Sequence, residues 1–474
     1  MKKSDAFLPQ IARFSQPKLG FFLRKTCFWG TFLLFLPIFL TAQSPLDGYI
    51  EQGLRSNRAM QLQDFDLEKN REAIRQARAL FQPSVNFAAT YTMAAGGRSL
   101  DFPIGDLLNP VYSTLNQLTA SNNFPQVENA KINFLASNFQ ETKIKFAQPI
   151  FNSDLKHNLL IQKELGENST LKKAALAHEL RGEIRTAYLK FGQAVEAEKI
   201  WSATVELLDE LLKLNQALVK NNVATRDVIA SAEYEKSRAE NELFKIKQAQ
   251  KTAKSYFFFL INEENPTAEI RLDSSLWKGN PQTYNLEEML AFAKSNRLEI
   301  KQLAQVSKIY GLQFEQQNDH RKLPSAYLGG ELGFQGFGYH FFDNQLYGLA
   351  QIGLNYTLYD AGQNRSKMQQ TRLESEKIRL QIEDAGAGIA MQVRQAFFAW
   401  ETAFQSIESA QKREAAALEI FKIIRAKYRQ QQALPIEMLD AETRLTNARE
   451  QLMLAKFEVL LRENELRQAA GFDN

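Results

Sequence analysis

The sequence predicts a mainly helical protein with a smaller β portion, built as a twofold repeat of helix, strand, strand, long helix, long helix. Three observations predict it. Two runs, from about Leu155 to Val219 and from Gln363 to about Gln432, are rich in Leu, Ala, Glu and Lys and contain no Pro. Four shorter segments alternate apolar with polar residues. Motifs of the first half return in the same order in the second.

The elements follow an N-terminal leader. Lys18, Arg24 and Lys25 precede an apolar run from Cys27 to Leu40, and Thr41-Ala42-Gln43 follows it. A basic flank, a short apolar core and a small residue at the cleavage position make residues 1–42 a secretory signal peptide, cut after Ala42. At about 14 residues the run is short for a membrane-spanning helix. An uncleaved anchor and a start downstream of Met1 are the alternatives. Of 58 Lys/Arg and 54 Asp/Glu, the leader holds six bases and one acid, so the formal charge moves from +4 to −1 without it. This balance argues against nucleic acid as a partner. Cys27, the only cysteine, leaves with the leader, which suits an oxidising compartment.

The first repeat is placed at 43–265, with a helix, a β-hairpin at about 84–151 and a long helical hairpin at about 155–262. A linker at 266–284 leads to the second repeat, 285–474, with a hairpin at about 325–359 and a helical hairpin at about 363–470. Ser56-Asn57-Arg58 and Ser295-Asn296-Arg297 each open a helical segment that ends near a Pro-Ser pair, Pro83-Ser84 and Pro324-Ser325. "EIRTAYLKF" from Glu183 parallels "QVRQAFFAW" from Gln392, and "NNVATRDVIASAEYE" parallels "QQALPIEMLDAETRL". Duplication accounts for this, with an extra polar stretch of roughly thirty residues inside the first β-hairpin.

Val85, Phe87, Ala89, Tyr91 and Met93 fall on one face of the first strand, and Ser84, Asn86, Ala88, Thr90 and Thr92 on the other. The return strand, from near Thr142 to Phe151, sets Ile144, Phe146 and Ile150 against Lys143 and Lys145. The third sets Leu328, Leu332 and Phe334 against Tyr327, Glu331 and Gln335. The fourth sets Leu346, Ala350, Ile352, Leu354, Tyr356 and Leu358 against Gln351, Asn355 and Thr357. Each has about ten residues, enough for a tilted strand to cross a bilayer. The aromatic cluster Tyr339-His340-Phe341-Phe342 falls between strands, where an interfacial girdle belongs. Two hairpins on a soluble helical core would show the same alternation. Four strands cannot close a barrel, and an open edge in lipid leaves backbone groups unpaired. Strands that cross a membrane therefore require several copies, three of which supply twelve strands and a usable channel.

Helices of 65–70 residues would be about 100 Å long. Leu207, Leu208, Leu211, Leu212 and Leu214 recur at helical spacing, which suits coiled-coil packing. Helices of this length serve a rod, a scaffold or a duct. Leader and bilayer-length strands favour the duct over an exported coiled-coil scaffold without a channel.

The chain resembles the TolC-like outer-membrane efflux proteins, the outer membrane factors. The resemblance rests on "TLYDAGQNRS" after a strand, "AETRLTNAREQLMLAKFEVLLRENELRQAAG" near the C-terminus, and the twofold repeat. It implies a homotrimer with a twelve-stranded barrel in outer-membrane lipid, continuous with an α-helical tunnel in the periplasm. It also implies docking through a periplasmic adaptor (membrane fusion protein) on an inner-membrane RND, ABC or MFS pump, in efflux or type I secretion.

The resemblance places the periplasmic tip at the turns between paired helices. Asn221, Asn222, Val223 and Ala224, with Gln431, Gln432, Ala433 and Leu434, are then the adaptor-contacting candidates. Relatives carry Gly near Asn221 and Gln431; Asn accepts a left-handed backbone more readily than Gln. Glu437 and Asp440, three apart on one helix face, match positions of an acidic ring at the entrance. Acids in a first turn also complement the helix dipole. Asp227 and Tyr428 fall where the family holds the entrance shut by hydrogen bonds. Asp360 and Gly362 turn the second hairpin into its long helix, and Asn152 and Asp154 do so in the first. No catalytic constellation, phosphate loop or metal-ligand spacing is present, and the histidines 157, 178, 320 and 340 are scattered, so neither an enzyme nor a cofactor is expected.

Overall fold

A computed structural model describes residues 44–278, 282–340 and 345–472. The leader at 1–42 with Cys27, residues 279–281 of the expected linker, and Phe341 and Phe342 lie outside the described residues.

The first half runs α1 (Pro45–Ser56), α2 (Arg58–Ala79), β1 (Ser84–Thr92), β2 (Ser99–Phe102), α3 (Ile104–Thr119), β3 (Ala130–Asn133), β4 (Phe139–Phe151), α4 (Ser153–Lys220) and α5 (Asp227–Ile261). A short α6 (Ser275–Lys278) precedes α7 (Leu286–Asn296), α8 (Leu298–Lys322), β5 (Ser325–Phe337), β6 (Leu346–Asn355), α9 (Gln363–Arg429) and α10 (Pro435–Ala470). Among the described residues no helix is long and apolar enough to cross a membrane.

The 68 residues of α4 and 67 of α9 each extend about 100 Å. Their hairpin partners, α5 and α10, have 35 and 36 residues and reach only half as far. The remaining length of α4 is covered by α2 and that of α9 by α8, so each long helix is flanked by two shorter ones set end to end. Ser56 and Asn57 tie the first joint: Ser56 Oγ donates to the Ile261 carbonyl at 2.6 Å and Asn57 Nδ2 to that of Leu260 at 2.9 Å. The orphan carbonyls at the end of α5 are thus met by the residues at the junction of α1 and α2. Arg297 does the same for α10 in the second half.

Around the first joint Ile50, Met60, Ile184, Tyr188, Phe257 and Ile261 form a core. Around the second, Met289, Val393, Phe397, Trp400, Val459 and Leu466 do so. Ile184, Tyr188, Val393 and Val459 are fully shielded from solvent. Gly182 lets α10 approach α4: a methyl there would overlap Gln468, and the buried Asn464 amide reaches the Gly182 carbonyl at 2.9 Å.

The four long strands form one antiparallel sheet in the order β1-β4-β5-β6. The register aligns Val85 with Phe146, Phe87 with Ile144, Ile144 with Leu332, and Leu328 with Ile352, which collects the apolar residues on one face. That face is uncovered within the chain; Phe87 is 72% and Ile352 77% exposed. The opposite face carries Lys143, which bridges Glu141 at 2.6 Å and Glu331 at 2.9 Å. The helices that adjoin this sheet, α2, α4, α8 and α9, meet it at one end, and both hairpin connections lie at the other. Tyr339 in the second connection stacks on Tyr91, 5.9 Å between ring centres.

Three details depart from the sequence expectation. The fourth strand stops at Asn355, so Tyr356 and Leu358 lie beyond it: β5 begins at Ser325, straight after Pro324, and pairs that residue with Asn355, leaving the ladder nothing further to bond. The return strand starts at Phe139, three residues early, because β5 extends to Phe337 to meet it. The extra stretch in the first hairpin is not a plain polar loop but a small two-stranded sheet, β2-β3, with the 16-residue α3 between its strands.

Candidate functional site

Two groups of candidate residues come together at opposite ends of the long helices. At the tip, α4 and α9 end in the same way. After α4, Asn222 takes φ 59° and the Val223 N–H closes back on the Leu218 carbonyl at 2.9 Å. After α9, Gln431 takes φ 60° and the Gln432 N–H reaches Lys427 at 2.8 Å. Both are Schellman turns, in which one left-handed residue lets the chain satisfy the last helical carbonyls. The left-handed position in the first turn is Asn222, not Asn221, which sits at φ −90°. Gln431 adopts it without the help of a glycine.

The two turns lie side by side. Val223, Ala224, Thr225, Leu434 and Ile436 line one open cleft, and Val223 and Leu434 are more than half exposed. Glu437, exposed in the first turn of α10, accepts the Leu434 N–H at 2.8 Å, so it caps the helix behind Pro435. Asp440 lines a second groove with Tyr234, Glu235 and Arg238 of α5, and pairs with Arg444 at 2.8 Å. That exposed i,i+4 pair contributes little to stability.

Asp227 and Tyr428 are not bonded to each other. Asp227 accepts from Thr225 at the start of α5. Tyr428 is buried, and its hydroxyl donates to Asn215 Oδ1, whose Nδ2 donates to the Val228 carbonyl at 3.1 Å. One chain of bonds thus joins α9, α4 and α5 just above the tip. Burial pushes the Tyr428 phenol up. Asn215 was absent from the sequence candidates. Its signal was an asparagine within "LLKLNQALVK", a polar residue on an otherwise apolar helical stripe.

At the sheet end, Asn152 caps α4, its Oδ1 accepting from Asp154 N–H at 2.9 Å and Leu155 N–H at 3.3 Å. Asp360 performs the same task for α9, accepting from Gly362 N–H at 3.0 Å and Asn364 N–H at 2.8 Å. The bond from Asn364 and that from Gly362 hold its carboxyl below the usual carboxylate range. Gly362 does not turn the chain alone: Ala361 is left-handed too, at φ 51°. Two of the scattered histidines meet here. His320 Nδ1 lies 2.7 Å from Asp154, and His157 Nε2 lies 2.9 Å from Asp319, a reciprocal pair of contacts locking α8 to α4.

The chain thus joins a four-stranded sheet with one apolar and one polar face to helices about 100 Å long. A sequence-family model described as outer membrane efflux protein matches residues 315–472. The chain is similar to the outer membrane protein VceC of Vibrio cholerae, at 15% identity over 90% of this chain and 96% of that one, with a TM-score of 0.68. It is similar to the MtrE outer membrane channel of Neisseria gonorrhoeae in its open state, at 16% identity over 90% and 89%, TM-score 0.70. It is also similar to the CmeC outer membrane channel of Campylobacter jejuni, at 13% identity over 90% and 86%, TM-score 0.67. No curated protein matches the chain in sequence. Residues 315–472 thus match the outer membrane efflux protein family in sequence, and the described chain shares the fold of these outer-membrane channels.

Proposed function

We propose that the chain is the outer-membrane channel of a tripartite efflux or type I secretion system and conducts substrates passively. It works as a homotrimer, twofold repeated in each copy, with a twelve-stranded barrel continuous with a periplasmic helical tunnel. One observation carries this: the sheet has an uncovered apolar face and two unpaired edges, β1 and β6, directly joined to the long helices. In lipid such a sheet is stable only when other copies pair its edges. Three copies of four strands give twelve, with the face of Lys143, Glu331 and Gln351 turned to the lumen.

The tip is then the entrance. The exposed Val223 and Leu434 meet a periplasmic adaptor, which links the channel to an inner-membrane pump. Glu437 and Asp440 of three copies ring the opening with about six carboxylates and favour cations there. The bonds of Tyr428, Asn215 and Val228 hold each copy's helices together behind the opening, and Asp227 fixes the first turn of α5.

The test is biochemical. The protein should leave the membrane only with detergent, sediment as a trimer and conduct ions in planar bilayers. A soluble monomer would overturn the proposal. Glu437→Gln with Asp440→Asn, which keeps an acceptor at the cap, should lower cation selectivity; unchanged selectivity removes the acidic ring.

A further inference from the structure

The first β-hairpin carries a feature that a conducting barrel does not need. In α3, Ile104, Leu107, Leu108, Val111, Leu115 and Leu118 fall within an arc of about 100° at 100° per residue. Leu107 is 70% and Leu118 78% exposed. A second face is already used. Asn109 exchanges both amide bonds with the backbone of Val127, at 3.0 and 2.7 Å, and Asn116 does the same with Phe124, at 2.8 and 3.1 Å. These bonds fix the helix against its own return segment and hold the apolar stripe outward.

We infer that the stripe is covered by α3 of the other two copies, so that three helices pack about the threefold axis over the outer mouth of the barrel. This rests on the trimer proposed above. Two observations select that occupant. The segment carrying α3 leaves the end of β1, which is a free edge of the sheet and therefore a seam that a neighbouring copy must pair. The helix also suits itself better than a lipid surface. Its single charged residue, Asp106, is bonded to Asn129 at 3.0 Å, and it has no Lys or Arg, which lipid-surface helices carry in number. An uncharged Ile/Leu/Val stripe meets its own copies without repulsion, and the threefold symmetry of the proposed trimer brings three of them together. Sixteen residues would associate weakly alone, but tethering to one barrel makes the contact intramolecular. Helices that touch on the axis stand across the lumen, so the pore narrows there.

Cysteine cross-linking tests this in the whole trimer, in a Cys27→Ser background. Val111→Cys should oxidise to a linked pair in up to about two thirds of the subunits, since a disulfide needs the Cα atoms within roughly 7 Å. Ser113→Cys, on the polar face of the same helix, should stay monomeric on a denaturing gel and also report that α3 folds. Leu107→Ser with Val111→Ser and Leu118→Ser should raise single-channel conductance. A trimer in which Val111→Cys fails to cross-link, or is labelled instead by a lipid-soluble maleimide, overturns this inference and leaves the channel proposal standing. Loss of the trimer itself overturns both.

Discussion

Arg297 Nη1 donates to the carbonyl of Ala469 at 2.7 Å, so the residue that starts α8 closes the end of α10. Its other nitrogens hold Glu299 at 2.9 and 2.8 Å, and the side chain is only 12% exposed. Arg297→Ala leaves the terminal carbonyls of α10 without this donor, an expected loss of about 1–3 kcal/mol. A lower urea midpoint reads it. Arg297→Lys should recover part of the loss, because one ammonium cannot serve both the carbonyl and the carboxylate fork. Equal midpoints for all three proteins would show that the joint does not depend on this bond.

Tyr428→Phe deletes the hydroxyl that reaches Asn215 and leaves a buried amide oxygen unpaired, at about 1–3 kcal/mol. Amide exchange should quicken in the last turns of α4 and α9 and stay unchanged in the sheet. Adding Asn215→Leu removes the stranded group as well and should recover much of the stability. If the double variant is as weak as the sum of the singles, the bond is not what couples the helices.

The left-handed tip residues predict a contrast between neighbours. Gln431→Gly removes a backbone penalty of roughly 1–2 kcal/mol, partly offset by the added freedom of the unfolded chain. The thermal midpoint should rise. Asn222→Gly should raise it less, since Asn tolerates φ 59° better, and Asn221→Gly, at φ −90°, should not raise it at all. A gain at Asn221 would contradict the turn geometry.

Glu442 gives a pH dependence with a definite sign. It is buried on α10 and accepts from Thr446 at 2.7 Å. Burial raises its pKa and Glu235 adds to the rise, while the Thr446 bond, Arg238 and Arg449 oppose it. The folded chain therefore holds this proton more tightly than the unfolded chain. Its contribution to stability is full below the ordinary carboxylate value of 4.5 and is lost as pH climbs through the raised folded value. Glu442→Gln should melt higher than the parent at pH 8, with the gain vanishing near pH 4. A gain of equal size at both would place the effect outside titration.

The long helices and the two faces of the sheet were legible in the sequence because their signals are local. Proline-free runs and period-two alternation need no knowledge of a partner. The extents of the short helices were less so. Nothing near Ile261 announces that its carbonyl meets Ser56, 205 positions away. Asn215 and Tyr428, 213 apart, were hidden by the same distance, and so were His157 and Asp319. In α3 the signal was local but masked, since Pro110 and a scatter of Asn, Ser and Thr read as a loop. The six apolar positions still keep helical spacing across that proline.

The end-to-end joints have a mechanical consequence. Ile184 and Val393, which pack at the two joints, lie about 30 residues from the starts of α4 and α9, so both breaks fall about 45 Å along the long helices. At that level only two of the four rods per chain are covalently unbroken. Bending and torsion concentrate there, because a rod interrupted at Asn57 or Arg297 transmits force through a few side-chain bonds rather than through a helix. Within each chain the helical bundle is thus stiff on either side of a compliant joint.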